Sequence, residues 1–139
     1  MKATVKWREG ETFVGSNERN QQVVMSGAGE HPSPMELVLM SLGACSSIDV
    51  VSILEKARQD LTDCVCDVDA ERADSVPKVF TRIHCHYRVT GRNLGEKQVQ
   101  RAVQLSVEKY CSVLLMLQAS VTITSSYEIV ESGAAEPSA

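Results

Sequence analysis

Aromatic residues are scarce in this chain, with one Trp, two Phe and three Tyr among 139 residues. Basic residues do not dominate either: 14 Lys and Arg stand against 18 Asp and Glu, for a net charge of -4. Neither a basic stripe nor aromatics interleaved with one occurs, so the electrostatic footprint of nucleic-acid binding is missing. A small molecule or a protein partner is expected instead. Residues 1–8 alternate polar and apolar side chains and include Lys2, Lys6 and Arg8. They lack the continuous apolar run of a secretory signal, and a cytoplasmic location is expected. The most apolar stretch, residues 37–54, is interrupted by Asp49 and several serines. It falls short of a membrane span and reads as a buried helix, so no membrane partner is expected. Cysteine is the exception to this sparseness, with five present. An odd number in a reducing compartment makes no stable disulfide framework, so chemistry or plain burial accounts for them.

A 43% hydrophobic share is enough for one core at this length, and a single domain over residues 1–131 is expected. Ala3, Val5 and Trp7 alternate with Lys2, Lys6 and Arg8, then residues 12–14 and 21–25 continue in strand-like segments, which predicts an N-terminal β-meander. Ser33, Pro34 and Glu36 then form a helix start: a capping serine, a proline suited to the first helical position, and a glutamate three residues after the serine to close a capping box. Apolar side chains fall on almost every face of the helix that follows, predicting a central helix surrounded by protein and ending near Arg58. Residues 63–71 and 79–90 read as a second strand group. In the latter, Ile83, Cys85, Tyr87 and Val89 share one face while Arg82, His84, His86 and Arg88 share the other. Asn93 and Glu96 predict a second capping box and a second central helix running into residues 113–117. Residues 121–130 read as a last strand and residues 132–139 as a disordered tail. The class is α+β.

Cys45 falls about three turns into the first helix and Cys111 slightly beyond the middle of the second. Neighbouring helices that approach through small residues can bring two such sulfurs within disulfide range, and Ser41, Gly43, Ala44, Ser46, Ser47 and Ser112 supply small residues there. Spacing alone fits two ordinary buried cysteines equally well, because free cysteine behaves as a small hydrophobe. Cys64, Cys66 and Cys85 read as core filler. His84 and His86 converge on one face without an obvious carboxylate partner, so no metal site is expected. His31 reads as an exposed loop residue, and Met35, Met40 and Met116 as packing.

The segment Ser33-Pro34-Met35-Glu36-Leu37 followed by Gly43-Ala44-Cys45-Ser46 resembles the first cysteine motif of the OsmC/Ohr family, its YhfA-type branch above all. Lys109-Tyr110-Cys111-Ser112-Val113 is similar to the second motif, and the order of elements matches over residues 1–131. The resemblance implies an OsmC-like α+β fold with two central buried helices, a second group of antiparallel strands and an intertwined homodimer. It further implies a thiol peroxidase acting on organic hydroperoxides, with Cys45 as peroxidatic nucleophile, Cys111 as resolving thiol, a dithiol as external reductant and no cofactor. Glu36 matches the family glutamate that orients an arginine against the reactive cysteine. Arg19 is the arginine chosen here and Arg8 the alternative; Glu36 also reads simply as a capping residue. Many peroxidase members carry proline after the second cysteine, where Ser112 stands. The same residues also fit a non-enzymatic ligand- or partner-binding protein, or a redox sensor.

Overall fold

The computed structural model describes residues 1–133; of the expected tail, residues 134–139 lie outside the described residues, and Ser132 and Gly133 form a turn. The chain divides into two compact units at residue 40. In the first, β1 (Ala3–Glu9), β2 (Thr12–Asn17) and β3 (Gln22–Ser26) form the expected antiparallel meander in the order β1-β2-β3. Trp7 pairs with Phe13, and the register shifts between Trp7 and Glu9, where the chain turns through Gly10 at φ 52. Trp7 Nε1 donates to the Gly10 carbonyl at 2.8 Å and pins that turn. The β2–β3 turn is organised by Asn17, whose Oδ1 accepts from the amides of Arg19 and Gln21, both at 3.0 Å.

Helix α1 (Pro34–Lys56, 23 residues) begins as the sequence predicts. The Glu36 amide donates to Ser33 Oγ at 3.1 Å and the Ser33 amide to Glu36 Oε1 at 3.0 Å, a reciprocal pair that satisfies two otherwise orphan donors. Pro34–Lys56 is long and apolar enough to cross a membrane by length and composition alone, which corrects the expectation that this stretch falls short of a span. Its packing is that of a core helix along one stripe, where Leu42, Gly43, Ser46, Val50 and Leu54 are buried. Each wholly buried aliphatic side chain of this kind contributes about 1.5–3 kcal/mol relative to exposure. The helix is not surrounded by its own chain, however: Ile48 is 68% exposed.

The second unit is built on β4 (Asp60–Arg72), β5 (Phe80–Arg92) and β6 (Thr122–Glu131), in the order β4-β5-β6. β4 and β5 are antiparallel, but β6 runs parallel to β5, which corrects the expectation of a purely antiparallel group. The connection over residues 93–121 is helical and long enough for the crossover that parallel pairing requires. Ile83, Cys85, Tyr87 and Val89 are all wholly buried, as their alternation predicts. Gly43 lets α1 approach this sheet, since a Cβ there would meet Val68 Cγ2 at 3.1 Å.

The second helix differs from expectation twice. It starts at Glu96 with Gly95 as its cap, and the cap makes no side-chain bond. Asn93 instead sits at φ 52 with its amide donating to the Glu131 carboxylate, while Glu96 accepts from the Tyr127 hydroxyl at 2.7 Å. Tertiary partners have taken both halves of the would-be capping box. The helix is also discontinuous: α2 (Glu96–Leu105) passes into a π-helical turn (Ser106–Tyr110), breaks at Cys111, and resumes as α3 (Ser112–Leu117).

Candidate active site

The break places Cys111. In the π-helical turn the Cys111 amide donates to the Ser106 carbonyl five residues back, at 2.9 Å. The extra residue in that ring shifts the helix face, and such turns recur at functional sites. Cys111 then leaves helical geometry (φ -73, ψ 103) and caps α3, its Sγ accepting from the Leu114 amide at 3.4 Å. Its sulfur therefore lies at a helix start instead of inside a helix, which corrects the mid-helix position inferred from spacing. Cys111 is wholly buried, whereas Cys45 on α1 is partly exposed.

The two thiols meet. Cys45 lies beside Cys111, close enough to raise its thiol. Burial pushes the Cys111 thiol up to about 11; the Leu114 amide opposes that, while Cys45 and the Asp49 carboxylate add to it. Asp49 lies one turn beyond Cys45 on α1. Ser106 Oγ is 3.0 Å from Asp49 Oδ2 and 2.9 Å from the Ser46 carbonyl oxygen, so its hydroxyl bridges α1 to the start of the π-helical turn. Neither Asp49 nor Ser106 was singled out from the sequence as a site residue. The available signal was a carboxylate four residues after a cysteine inside an apolar helix, a costly place for a charge without a partner.

Cys85 and Cys66 form a second thiol contact beneath the first. Cys66 lies opposite Tyr87 and Cys85 opposite Val68, which makes the two cysteines diagonal neighbours on the buried face. Their contact raises Cys66, reinforced by burial, and lowers Cys85 against burial, as one S–H directed at the other sulfur would. Cys64 is raised by burial. Tyr87 is also raised by burial, and its hydroxyl lies beside Ser46 and Cys85 without a hydrogen-bond partner among the described residues. Of these three only Cys85 is buried in the core as expected; Cys64 and Cys66 are half-buried, which corrects the core-filler expectation for that pair.

The opposite face of the sheet carries a polar ladder. His84 Nδ1 contacts Thr124 Oγ1 at 2.6 Å, Ser126 Oγ contacts His84 Nε2 at 2.8 Å and His86 Nδ1 at 2.7 Å, and His86 Nε2 contacts Glu128 at 3.2 Å. His86 thus does have a carboxylate neighbour, on the strand that sequence spacing could not align with it. Among the described residues no group of three or more His, Cys, Asp or Glu side chains is arranged to hold a metal ion.

Arg19 is exposed in the β2–β3 turn, and Glu36 is exposed in the first turn of α1, nine residues before Cys45 along the same helix. The bonds from Ser33, its amide first and its hydroxyl second, hold the Glu36 carboxyl below its ordinary value. His31 is exposed.

An α+β fold with a neighbouring pair of thiols, one on a long helix and one at the start of a second, defines a class of small dithiol proteins. This chain belongs to the OsmC-like family, whose model, described as OsmC-like protein, matches residues 27–126. Protein YhfA of Escherichia coli strain K12 is 54% identical over 132 residues, covering 94% of this chain and 98% of that protein. A hypothetical protein from Aquifex aeolicus VF5 is 32% identical with a TM-score of 0.85, over 94% of this chain and 96% of the other. The organic hydroperoxide resistance protein OhrB of Bacillus subtilis shares the fold at 14% identity and a TM-score of 0.61, over 92% of this chain and 98% of the other.

Proposed function

We propose that this protein is a thiol-dependent peroxidase that reduces organic hydroperoxides through Cys45 and Cys111. The observation that carries the reading is the contact between these two thiols. In the first step the Cys45 thiolate attacks the terminal oxygen of the hydroperoxide; the O–O bond breaks, Cys45 becomes a sulfenic acid, and the departing alkoxide takes a proton to leave as the alcohol. In the second step Cys111 attacks the Cys45 sulfur, the S–O bond breaks, and the Cys111 proton leaves with the hydroxide as water. An external dithiol then reduces the Cys45–Cys111 disulfide by two successive exchanges. This chemistry needs neither metal nor organic cofactor. Glu36 orients an arginine, Arg19, against the reactive thiolate, as the family resemblance implies. The protein works in the cytoplasm as an intertwined homodimer of one OsmC-like domain, residues 1–131. Exposed apolar residues on each unit, Val5, Trp7 and Val23 on the first and Ile48 on the second, support a second copy covering them.

A non-enzymatic binding protein or a redox sensor is the second reading, favoured by Ser112 standing where many peroxidase members carry proline. Reduced protein given about one equivalent of cumene hydroperoxide, then mapped for disulfides while peroxide loss is followed with excess dithiothreitol, separates them. A Cys45–Cys111 bond with continuing turnover, abolished in Cys45→Ser and Cys111→Ser, is expected. The same bond without turnover identifies a sensor, and neither bond nor peroxide loss leaves a binding protein.

A further inference from the structure

The polar ladder on the outer face of the sheet takes no part in the dithiol chemistry. His84 and His86 alternate along β5, so both rings leave the same face, and their partners in the parallel register are Thr124 and Ser126 on β6. One nitrogen of each ring meets the same atom: Ser126 Oγ lies 2.8 Å from His84 Nε2 and 2.7 Å from His86 Nδ1. The outer nitrogens are held by other oxygens, His84 Nδ1 by Thr124 Oγ1 at 2.6 Å and His86 Nε2 by Glu128 Oε1 at 3.2 Å. An ionised carboxylate only accepts, so a neutral His86 carries its proton on Nε2 and turns a bare Nδ1 inward. The one hydroxyl proton of Ser126 goes to that nitrogen, which leaves His84 donating to Ser126 from Nε2 and accepting from Thr124 at Nδ1.

We propose that these two inner nitrogens, His84 Nε2 and His86 Nδ1, are ligands for a divalent ion of the zinc, nickel and copper group, which takes the place of the Ser126 hydroxyl between the rings. Imidazole suits those ions. A zinc–imidazole bond is about 2.0–2.1 Å long, shorter than either contact to Ser126, so an ion fits once the hydroxyl turns aside and the rings close on it. An oxygen held against each outer nitrogen is the arrangement that orients metal-binding histidines, and Glu128 completes a carboxylate–histidine–metal series. Charge favours a cation over an anion here. Asp69 and Asp67 stand opposite His84 and His86 on β4, and Glu128 closes the β6 side. The arginines of this face, Arg82 and Arg88, lie beyond the histidines, Arg82 opposite Glu71 and Arg88 within 4.0 Å of Asp67. Both rings are half-buried, which leaves an ion a way in. Among the described residues no third His, Cys, Asp or Glu side chain is arranged to join them, so water completes the coordination. Binding moves one proton, from Nε2 to Nδ1 of His84, where Thr124 Oγ1 accepts it. None of this depends on the peroxidase reading.

Zinc chloride is the probe, because copper(II) would oxidise the thiols. The full chain, labelled with 15N at histidine and kept reduced by a phosphine, is titrated with zinc, and two-bond 1H–15N spectra report the tautomer and the ligated nitrogen of each ring. Zinc taken up by cysteines leaves the rings unmoved, so the readout is specific to this face. Without zinc His84 is expected to carry its proton on Nε2. With zinc, His84 Nε2 and His86 Nδ1 should shift together and the His84 proton should move to Nδ1, while His31 stays unchanged. His84→Ala, or His84→Gln if alanine does not fold, should abolish the His86 shift at the same zinc concentration, and Glu128→Gln should weaken binding about tenfold. Rings unmoved up to about 1 mM zinc, or a His86 shift that persists undiminished without His84, overturn the proposal. An affinity unchanged in Glu128→Gln overturns the orienting role of that carboxylate.

Discussion

The Leu114 amide donates to the Cys111 sulfur at 3.4 Å, so this cysteine caps α3 in the way a serine hydroxyl would. Cys111→Ser should therefore keep the cap and satisfy its own hydroxyl in a buried place, whereas Cys111→Ala leaves the amide unpaired. The serine variant is expected to be the more stable of the two by about 1 kcal/mol, despite being more polar. Urea unfolding of both variants under reducing conditions checks the order, and an alanine variant as stable as the serine variant removes any capping role.

Ser112 occupies the first position of α3, where proline's missing amide costs nothing and its fixed φ suits the helix. Cys111 before it already has the extended backbone that a residue preceding proline adopts. Ser112→Pro is expected to raise stability by about 0.4–1 kcal/mol through the unfolded chain, with the Cys45–Cys111 disulfide still forming. A drop in stability would show that the serine amide or hydroxyl has a partner that the geometry does not reveal.

Ser126 joins the two histidines of the outer ladder, contacting both rings within 2.8 Å. Ser126→Ala removes a partner from each ring while both stay folded against the strand. We expect a loss of about 1–2 kcal/mol, read as a lower urea midpoint at unchanged slope. Thr124→Ala, which touches one ring only, should cost less.

Glu36 supplies a pH dependence at the start of α1. Its carboxyl is held below the ordinary 4.5 by the Ser33 amide and hydroxyl. The charged form is thus favoured by folding, and its contribution is complete above the unfolded value and disappears as pH falls through the lower folded one. Unfolding curves between about pH 6 and pH 3 should show a steeper acid loss for wild type than for Glu36→Gln, and equal slopes would mean that the bond does not survive in solution. Ser33→Ala is expected to cost about 1 kcal/mol at neutral pH.

Local signals placed the elements well and their partners poorly. The alternation of residues 83–89 gave both faces of β5, because side-chain direction in a strand is set by the backbone alone. Ser33, Pro34 and Glu36 marked the start of α1 because every partner in that cap lies within three residues. Asn93 and Glu96 offered the same local pattern and were drawn away by Glu131 and Tyr127, 38 and 31 residues along the chain. The parallel direction of β6 was equally invisible, since a strand's own residues do not encode which way its neighbour runs.

By itself the sequence determined the α+β class, the two cysteine motifs and hence the family, all carried by short-range periodicity, capping and residue identity. Tertiary structure alone decided that Cys111 sits at a helix start after a π-helical turn, that Asp49 and Ser106 brace it, and that Cys66 reaches Cys85. The last two depend on groups 57 and 19 residues apart meeting in a core. Burial and hydrogen bonding then fix which sulfur keeps its neighbours, and a linear pattern contains no term for that.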